Sequence, residues 1–555
     1  MKLTVAQVLI RYLKEAGVHH IFGVLGHSAL EITDAIYSES GIDYVPAQIE
    51  LSAAYMADGY ARASRRLGVC LSSGGAGVTN LTTGIAQSYK ESVPVMAIGS
   101  DIRKQFSGKG ASSLHEVPQV KILEPVTKIS ARLERPGDFL DSLRKAHRAA
   151  VTGRKGPVFL SIPEDVQKVE VDVPPPPWVE TPAKAKEVDP LLVERAVMDL
   201  TRAAAPIIIA GGGVYWSESE TEIVDLAKLI SAPIGTTPSH KGLIPENNPL
   251  SLGVLGLGAF PFANQVCRES DVILAVGTTF SQTLTLGYGN KVIPDGAKIV
   301  QIDIDPAEIG KTYPVHLKIN ADAKVALRRM IDRLKATGSR RDEPSQRLER
   351  IVKDKDQWLN EIARQGQAAD GPIQRWQIFH ALREAIDKET VVIGESVTID
   401  LLRRFSTNTR VYHGGDFRAV GNALSTAIGI KYAEPTRPVV CVGGDGAFMM
   451  EIHDLATAKS SGFPILFLIV NNSVYGSMKR DQIRQYGGRV IGTNFNLPDL
   501  CSLASSFGAY TERVERPSDL LDAIRRAIAS ERLAVLDVLC PLEETYGGKL
   551  SYWDA

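Results

Sequence analysis

The sequence predicts an α/β protein made of three open, parallel-sheet domains, and three observations carry that expectation. Short β-branched apolar runs alternate with helix-period stretches along the 555 residues, as strands joined by crossover helices do. Several of those runs are apolar almost without interruption, which suits strands covered on both faces. A proline tract and a charged tract divide the chain into three stretches of similar size, in keeping with ~100–200 residues per domain.

The first domain, 1–175, opens with "MKLTVAQVLIRYLKEAG". Val5, Val8, Leu9 and Leu13 recur at helical spacing, so an amphipathic helix is expected there. The stretch lacks the unbroken apolar core and small-residue cleavage site of a secretory signal. Strands are expected at "YVPAQ", "GVCLSS", "VPVMAIGS" and "GPVFLSIP". "VDVPPPPWVETPAKAKEVDP" then reads as an extended linker, because consecutive prolines fit neither a helix nor a central strand. The second domain, 190–340, has expected strands at "PIIIAGGG", "VILAVGTT" and "AKIVQIDID" and a helical tail at "DAKVALRRMIDRLKA". "GSRRDEPSQRLERIVKDKDQW" reads as a polar connector or solvated helix, a spacer rather than a site. The third domain, 365–555, has expected strands at "TVVIGES", "PVVCVGGDG", "ILFLIVNN" and "LAVLDVLC".

Composition sets limits on function. Hydrophobic residues make up 44% and charged residues 23%, enough for a sizeable core. A net charge of −1 offers no field to attract nucleic acid or an acidic membrane surface. No apolar stretch approaches the ~18–20 residues that cross a bilayer. Five cysteines, Cys70, Cys267, Cys441, Cys501 and Cys540, form no CxxC pair, against both a disulfide framework and a zinc site. A reduced, cytoplasmic protein is expected.

The chemistry concentrates in "CVGGDGAFMMEIHDLATAKSSGFPILFLIVNN", from Cys441 to Asn472. A buried strand ends at Gly443, and a helix is expected from Ala447 to a stop at Gly462. Gly-Asp-Gly thus falls where a strand's carboxyl end meets a helix start, the edge at which open α/β sheets bind ligands. Glycine there lets a phosphate approach the backbone, and helix-start N–H groups favour anions. Asp445 conflicts with a bare phosphate, and a bridging cation resolves the conflict. The next strand delivers Asn471 and Asn472 to the same edge. Carboxylate, amide oxygen and backbone carbonyl are hard ligands, suited to Mg²⁺ or Ca²⁺ holding a diphosphate.

"GDGAFMM" through "IVNN", with Asp445 and Asn472 27 positions apart, resembles the signature of thiamine-diphosphate-dependent enzymes. "IFGVLGHSALEITDAI", "PAQIELSAAYMADGYARASRRLGVCLSSGGAGVTNLTTGIA" and "VQIDIDPAEIGKTYPVHLKINADAKVAL" resemble the acetohydroxyacid synthase, pyruvate oxidase and 2-oxo acid decarboxylase branch. The resemblance implies that the first domain binds the cofactor's aminopyrimidine and the third its diphosphate. It implies Asp445, Asn472 and the Val474 carbonyl as Mg²⁺ ligands. It implies Gly444, Gly446 and Ala447, the turn of Gly394, Glu395 and Ser396, and Tyr475 and Met478 as cofactor contacts. Glu50 would hydrogen-bond the pyrimidine ring nitrogen and favour the 4′-imino tautomer, which takes the thiazolium C2 proton. "RAVGNALSTAIG" resembles the stretch that bends the cofactor, with Val420 between its rings and the Arg418 carbonyl accepting from the 4′-amino group.

Departures from the pattern refine the expectation. His27 in "VLGHSAL" stands where synthases carry the second glycine of Pro-Gly-Gly. His115 in "SSLHEVPQ" stands at the glutamine of their Phe-Gln-Glu stretch, and Leu114 replaces the aromatic. Two imidazoles facing the reacting carbon could relay protons near neutral pH. Met478 falls where some decarboxylases place an acid. "GTTFSQTLTLGYG" lacks the arginine-rich pattern expected for FAD. These marks point away from a strict biosynthetic acetolactate synthase. Gly211, Gly212, Gly213, Asp303 and Asp305 could hold FAD, ADP or the adenosine of coenzyme A, or serve only as sheet turns. Tyr546, Tyr552 and Trp553 could cover the site from a short C-terminus.

The expected function is an acetolactate synthase-like enzyme that decarboxylates a 2-oxo acid and protonates or carboligates the enamine. The alternatives are a 2-hydroxyacyl-CoA lyase or oxalyl-CoA-type decarboxylase acting on an acyl-CoA, and a non-catalytic nucleotide-binding member of the family. Similar enzymes build each site from two subunits, so a homodimer or homotetramer is expected.

Overall fold

The structure, a computed structural model, describes residues 1–180, 187–338, 346–366, 371–395, 398–405 and 409–542. Its body is three six-stranded sheets, each parallel throughout. The N-terminal sheet runs, edge to edge, Asp43–Pro46, His20–Gly23, Gly68–Ser72, Val95–Asp101, Val158–Pro163 and Ser130–Arg132. The C-terminal sheet runs Arg410–Tyr412, Val391–Gly394 (β1), Val439–Gly444 (β2), Ile465–Asn471 (β3), Ala534–Leu539 and Tyr510–Val514. These two sheets share one order; in each the chain starts beside the edge, pairs outward, then crosses back. The central sheet differs: Ser251–Val254, Ile234–Thr236, Pro206–Ala210, Val272–Val276, Lys298–Asp303 and Leu317–Asn320 follow the doubly wound dinucleotide-type order. A two-stranded antiparallel ribbon, Lys2–Thr4 with Glu170–Asp172, ties the first domain's two ends together.

Every expected strand is present, and the central strands are fully buried, as their unbroken apolar runs require. The amphipathic start forms the helix Val5–Glu15 with Thr4 as its N-cap. The proline linker begins docked rather than free: Trp178 is 2% exposed and its indole N–H donates to the Pro174 carbonyl at 2.8 Å. The charged connector is also more than a spacer. Gln346–Gly366 is a helix, with Leu348 and Ile351 buried and Lys355 donating to the carbonyls of Glu246, Asn248 and Ser251 at 3.0, 2.8 and 3.1 Å. Among the described residues, no helix is long and apolar enough to cross a membrane.

The two outer domains are joined by a crossing of buried helices, α1 (Glu50–Ser64) and α2 (Ala423–Ala433). Backbone meets backbone there: a Cβ at Gly59 would overlap the Thr426 carbonyl, and one at Gly429 would overlap that of Met56. The helix expected from Ala447 to Gly462 starts earlier and is broken. It forms α3 (Asp445–Met450) and α4 (Asp454–Ser461), the latter ended by Gly462 at φ 68°. At the break the Glu451 and Asp454 carboxyls turn inward, toward the start of α2 and toward α1.

Candidate active site

Each sheet has a switch point where the order of its strands reverses, and the carboxyl ends beside it open a crevice. In the C-terminal sheet β1 and β2 flank that point, so Glu395 and Asp445 emerge side by side. Asp445 opens α3 and is 3% exposed. Its carboxylate accepts from the backbone N–H of Gly446 at 2.7 Å, of Asn472 at 3.1 Å and of Ser473. Burial pushes its pKa up against those three donors, and the charge of Asp537 adds to the rise.

Of the two asparagines that end β3, Asn471 donates its amide to Asp537 at 2.7 Å, deep in the sheet. Asn472 is only half-buried, and its Oδ1 accepts from the Val474 N–H at 3.1 Å. Val474 bridges to Asn494, and Tyr475 stacks edge-on against Phe495 at 4.4 Å. That ring pair explains Gly446, since a Cβ there would lie 2.8 Å from Tyr475 and 3.0 Å from Phe495. A Cβ at Gly444 would meet nothing within 4 Å, so the end of β2 stays open. A buried carboxylate served only by backbone donors, beside a neutral amide oxygen and a backbone carbonyl, fits a hard divalent cation. Among the described residues there is no cluster of three or more His, Cys, Asp or Glu suited to a metal, and this donor set needs only one carboxylate.

A strap, residues 413–422, crosses the same crevice and leads into α2. Val420 on it is 38% exposed, so it is not part of this chain's core. Arg418 is held at φ 52° and Gly421 at φ 79°, two left-handed residues that turn the chain sharply around Val420. Three domains anchor the strap. Glu91 of the first accepts from Asp416 N–H at 3.0 Å, and Thr283 of the second donates to the Asp416 carboxylate at 2.5 Å. Glu395 of the third accepts from the N–H groups of Gly421, Asn422 and Ala423. The Glu395 side chain is therefore engaged with backbone, not free in the crevice. Gly394 packs beneath Leu402, Met478 is 56% exposed on the helix Gly476–Gln485, and Ser396 lies outside the described residues, as do Tyr546, Tyr552 and Trp553.

In the N-terminal sheet the switch point lies between His20–Gly23 and Gly68–Ser72. Glu50, the first residue of α1, is 8% exposed there, and its Oε2 accepts from Asn80 at 2.9 Å. Gly77 keeps the other oxygen accessible, since a Cβ at that residue would lie 2.9 Å from Oε1. The turn 73–75 gathers the two histidines. Gly26, beside His27, packs on Ser73, and Gly75 packs on His115, which sits at φ 64°. His27 and His115 are both exposed. Glu50, His115 and the glycine before His27 thus all pack around residues 73–77, with Glu50 bonded within its own domain, while Asp445, Asn472 and Val474 gather at the ends of β2 and β3.

The central sheet opens a cleft of about 520 Å³, lined among others by Gly212, Gly213, Arg154, Asp303, Lys311 and Asp416. Gly211 and Gly213 are required by the sheet itself, because a Cβ on either would run into the backbone at Gly277. Asp303 is 8% exposed, and burial pushes its carboxyl up to about 6.

Residues that sequence reasoning missed are Asn80, Glu91, Thr283, Glu451 and Asp454. Each acts across a long sequence separation, which leaves no local signal for it.

Three family models match the chain in order. They are the thiamine pyrophosphate enzyme N-terminal TPP binding domain over residues 3–122, the central domain over 193–330 and the C-terminal TPP binding domain over 393–538. The chain is 32% identical over 557 residues to a probable acetolactate synthase large subunit of Methanococcus aeolicus, covering 96% of this chain and 91% of that protein. It is 33% identical over 574 residues to the probable counterpart in Methanocaldococcus jannaschii, covering 98% and 94%. It is 30% identical over 547 residues to the acetolactate synthase large subunit of Haemophilus influenzae, covering 97% and 94%.

Proposed function

Given that the chain belongs to the thiamine pyrophosphate enzymes and resembles acetolactate synthases over nearly its whole length, we propose that it decarboxylates a 2-oxo acid. The product is then protonated or joined to a second carbonyl compound. Bound thiamine diphosphate supplies a carbon nucleophile and an electron sink.

The protein's own groups have separate tasks. Asp445, the Asn472 Oδ1 and the Val474 carbonyl would hold Mg²⁺, with the open end at Gly444 admitting the diphosphate. The observation that carries the reading is this pairing of buried Asp445, held by backbone N–H groups, at one switch point with a buried Glu50 at the other. Glu50 would hold a proton at the pyrimidine nitrogen through the oxygen that Gly77 leaves accessible. The Arg418 carbonyl and Val420 would fix the ring orientation. His27 and His115 would orient the substrate carboxylate and hand a proton to the product near neutral pH.

Apolar side chains exposed at both crevices support a second copy completing each site: Leu25 at 58% and Leu114 at 80% in the first domain, Met450 at 47% and Met478 at 56% in the third. The reading is a homodimer or homotetramer. A nucleotide such as ADP or FAD in the central cleft is a second reading, favoured by that sheet's dinucleotide-type order and by Asp303 at its edge.

Glu50→Gln tests the assignment, read by carbon dioxide release and ketol formation across a panel of 2-oxo acids. A positioned acid or base contributes ~10²–10⁴-fold, so turnover falls by that order while thiamine diphosphate still binds. Unchanged turnover removes Glu50 from its role.

A further inference from the structure

Three buried carboxyl groups lie beneath the crevice of the third domain: Glu395 and Glu451, each 1% exposed, and Asp454, fully buried. Backbone N–H groups and hydroxyls hydrogen-bond to them, and the His453 Nε2 lies 3.7 Å from the Asp454 carboxyl. Glu395 Oε1 accepts from Asn422 N–H and from Ala423 N–H at 2.6 Å, and Oε2 from Gly421 N–H at 3.2 Å. Glu451 Oε2 takes the next donor of α2, Leu424 N–H, at 2.8 Å. Its other oxygen, Oε1, is buried without a hydrogen-bond partner. Asp454 accepts from Ser425 of α2 at 2.5 Å and from Ser52 of α1 at 2.7 Å, two residues beyond Glu50. The Tyr55 hydroxyl of α1, also buried and unpartnered, lies within the field of both glutamates.

We propose that Glu395 is the positioning residue of the strap, its carboxylate fixing the 421–423 backbone, and that Glu451 carries a proton facing it. The inference rests on the reading of Val420 and Arg418 as contacts of the cofactor rings.

Position and chemistry agree. The first N–H groups of a buried helix need acceptors, and an anion is favoured at that end. A carboxylate bonding three successive N–H groups fixes Gly421 in its left-handed turn and thereby aims Val420. Two adjacent buried carboxyls do not both ionise, because like charges there repel strongly. The proton belongs on Glu451, whose Oε1 is buried without a partner, rather than on Glu395, both of whose oxygens accept from backbone N–H groups. Burial raises both groups, Glu451 further because Glu395 and Asp454 add to it, whereas the backbone donors pull Glu395 back.

The test is amide hydrogen exchange of the full-length protein without cofactor, followed by titration with thiamine diphosphate and Mg²⁺. Glu395→Gln sets an amide donor against backbone donors. Its expected result is exchange about tenfold or more faster across 414–424, with Val439–Gly444 unchanged, and cofactor affinity about tenfold weaker. In Glu451→Gln the amide N–H replaces the carboxyl O–H, so strap exchange stays within about threefold of the parent. Should Glu395→Gln fold poorly, Glu395→Asp keeps the charge but ends one methylene short and gives the same pattern. Parent-like exchange in the Glu395 variants, or acceleration spread evenly over the domain, overturns the positioning role. Loosening by Glu451→Gln as large as that by Glu395→Gln overturns the proton assignment. A loosened strap with unchanged cofactor affinity upholds the positioning and refutes the ring contacts of Val420 and Arg418.

Discussion

Replacing Asp445 with asparagine separates metal binding from folding at the third-domain crevice. The amide can keep its oxygen toward Asn472 and Ser473 N–H and turn its nitrogen toward Gly446 N–H, so one of three hydrogen bonds is lost. A hydrogen bond to a charged acceptor is worth about 1.5–3 kcal/mol. Against that, the substitution removes a buried charge whose burial already outweighs its backbone donors, as the raised pKa shows. The two effects offset, so the stability of the cofactor-free protein changes by no more than about 1 kcal/mol. Cation affinity has no such offset, because the only carboxylate of the proposed donor set is neutralised. Groups one step removed from a metal are worth 10–100-fold, and a direct ligand should exceed about 100-fold, or about 2.7 kcal/mol. Isothermal titration with Mg²⁺ and thiamine diphosphate measures the affinity, and denaturant unfolding of the cofactor-free protein measures the stability. Affinity within a few fold of the parent would refute the placement of the cation. A large stability loss would show that the carboxylate serves the fold instead.

Gly429→Ala should lower the thermal midpoint by the equivalent of about 1–3 kcal/mol or more, since its Cβ would strike the Met56 carbonyl and neither buried helix can retreat; an unaltered midpoint would mean that α1 and α2 do not cross this closely. Asp303 should make stability fall with pH in a defined window. Its folded pKa, about 6, lies above the ordinary value near 4, so its favourable contribution is whole below about pH 4 and is lost as pH rises through about 6. Two units correspond to at most about 3 kcal/mol. Asp303→Asn should therefore gain stability relative to the parent between about pH 4 and 7 in urea unfolding, and a flat or falling difference would contradict the burial of that carboxyl.

Much of the site was legible from local pattern. A strand, a glycine turn and an acid at a helix start put Asp445 at a ligand-binding edge, and the following strand put an asparagine beside it. Local pattern alone did not separate the two asparagines, and the family resemblance singled out Asn472; the partner that claims Asn471 is Asp537, 66 residues further on. The strands that escaped notice, such as Ser130–Arg132 and Tyr510–Val514, are edge strands with half-exposed polar residues, so no apolar run marks them. The charged helix Gln346–Gly366 hid its docking face because the group that anchors it, Lys355, is itself charged.

Glu395 shows the boundary most clearly. Sequence placed it correctly at the carboxyl end of a strand, next to a crevice, and by type it could have faced a ligand. Tertiary structure gave its oxygens to three backbone N–H groups 26–28 residues away. By itself the sequence determined where strands end and which residue types stand at those ends, since strand periodicity and glycine turns are local. Which distant backbone N–H groups each of these buried carboxylates holds was decided only by the fold. Burial and hydrogen bonding depend on groups that the chain brings together from far apart.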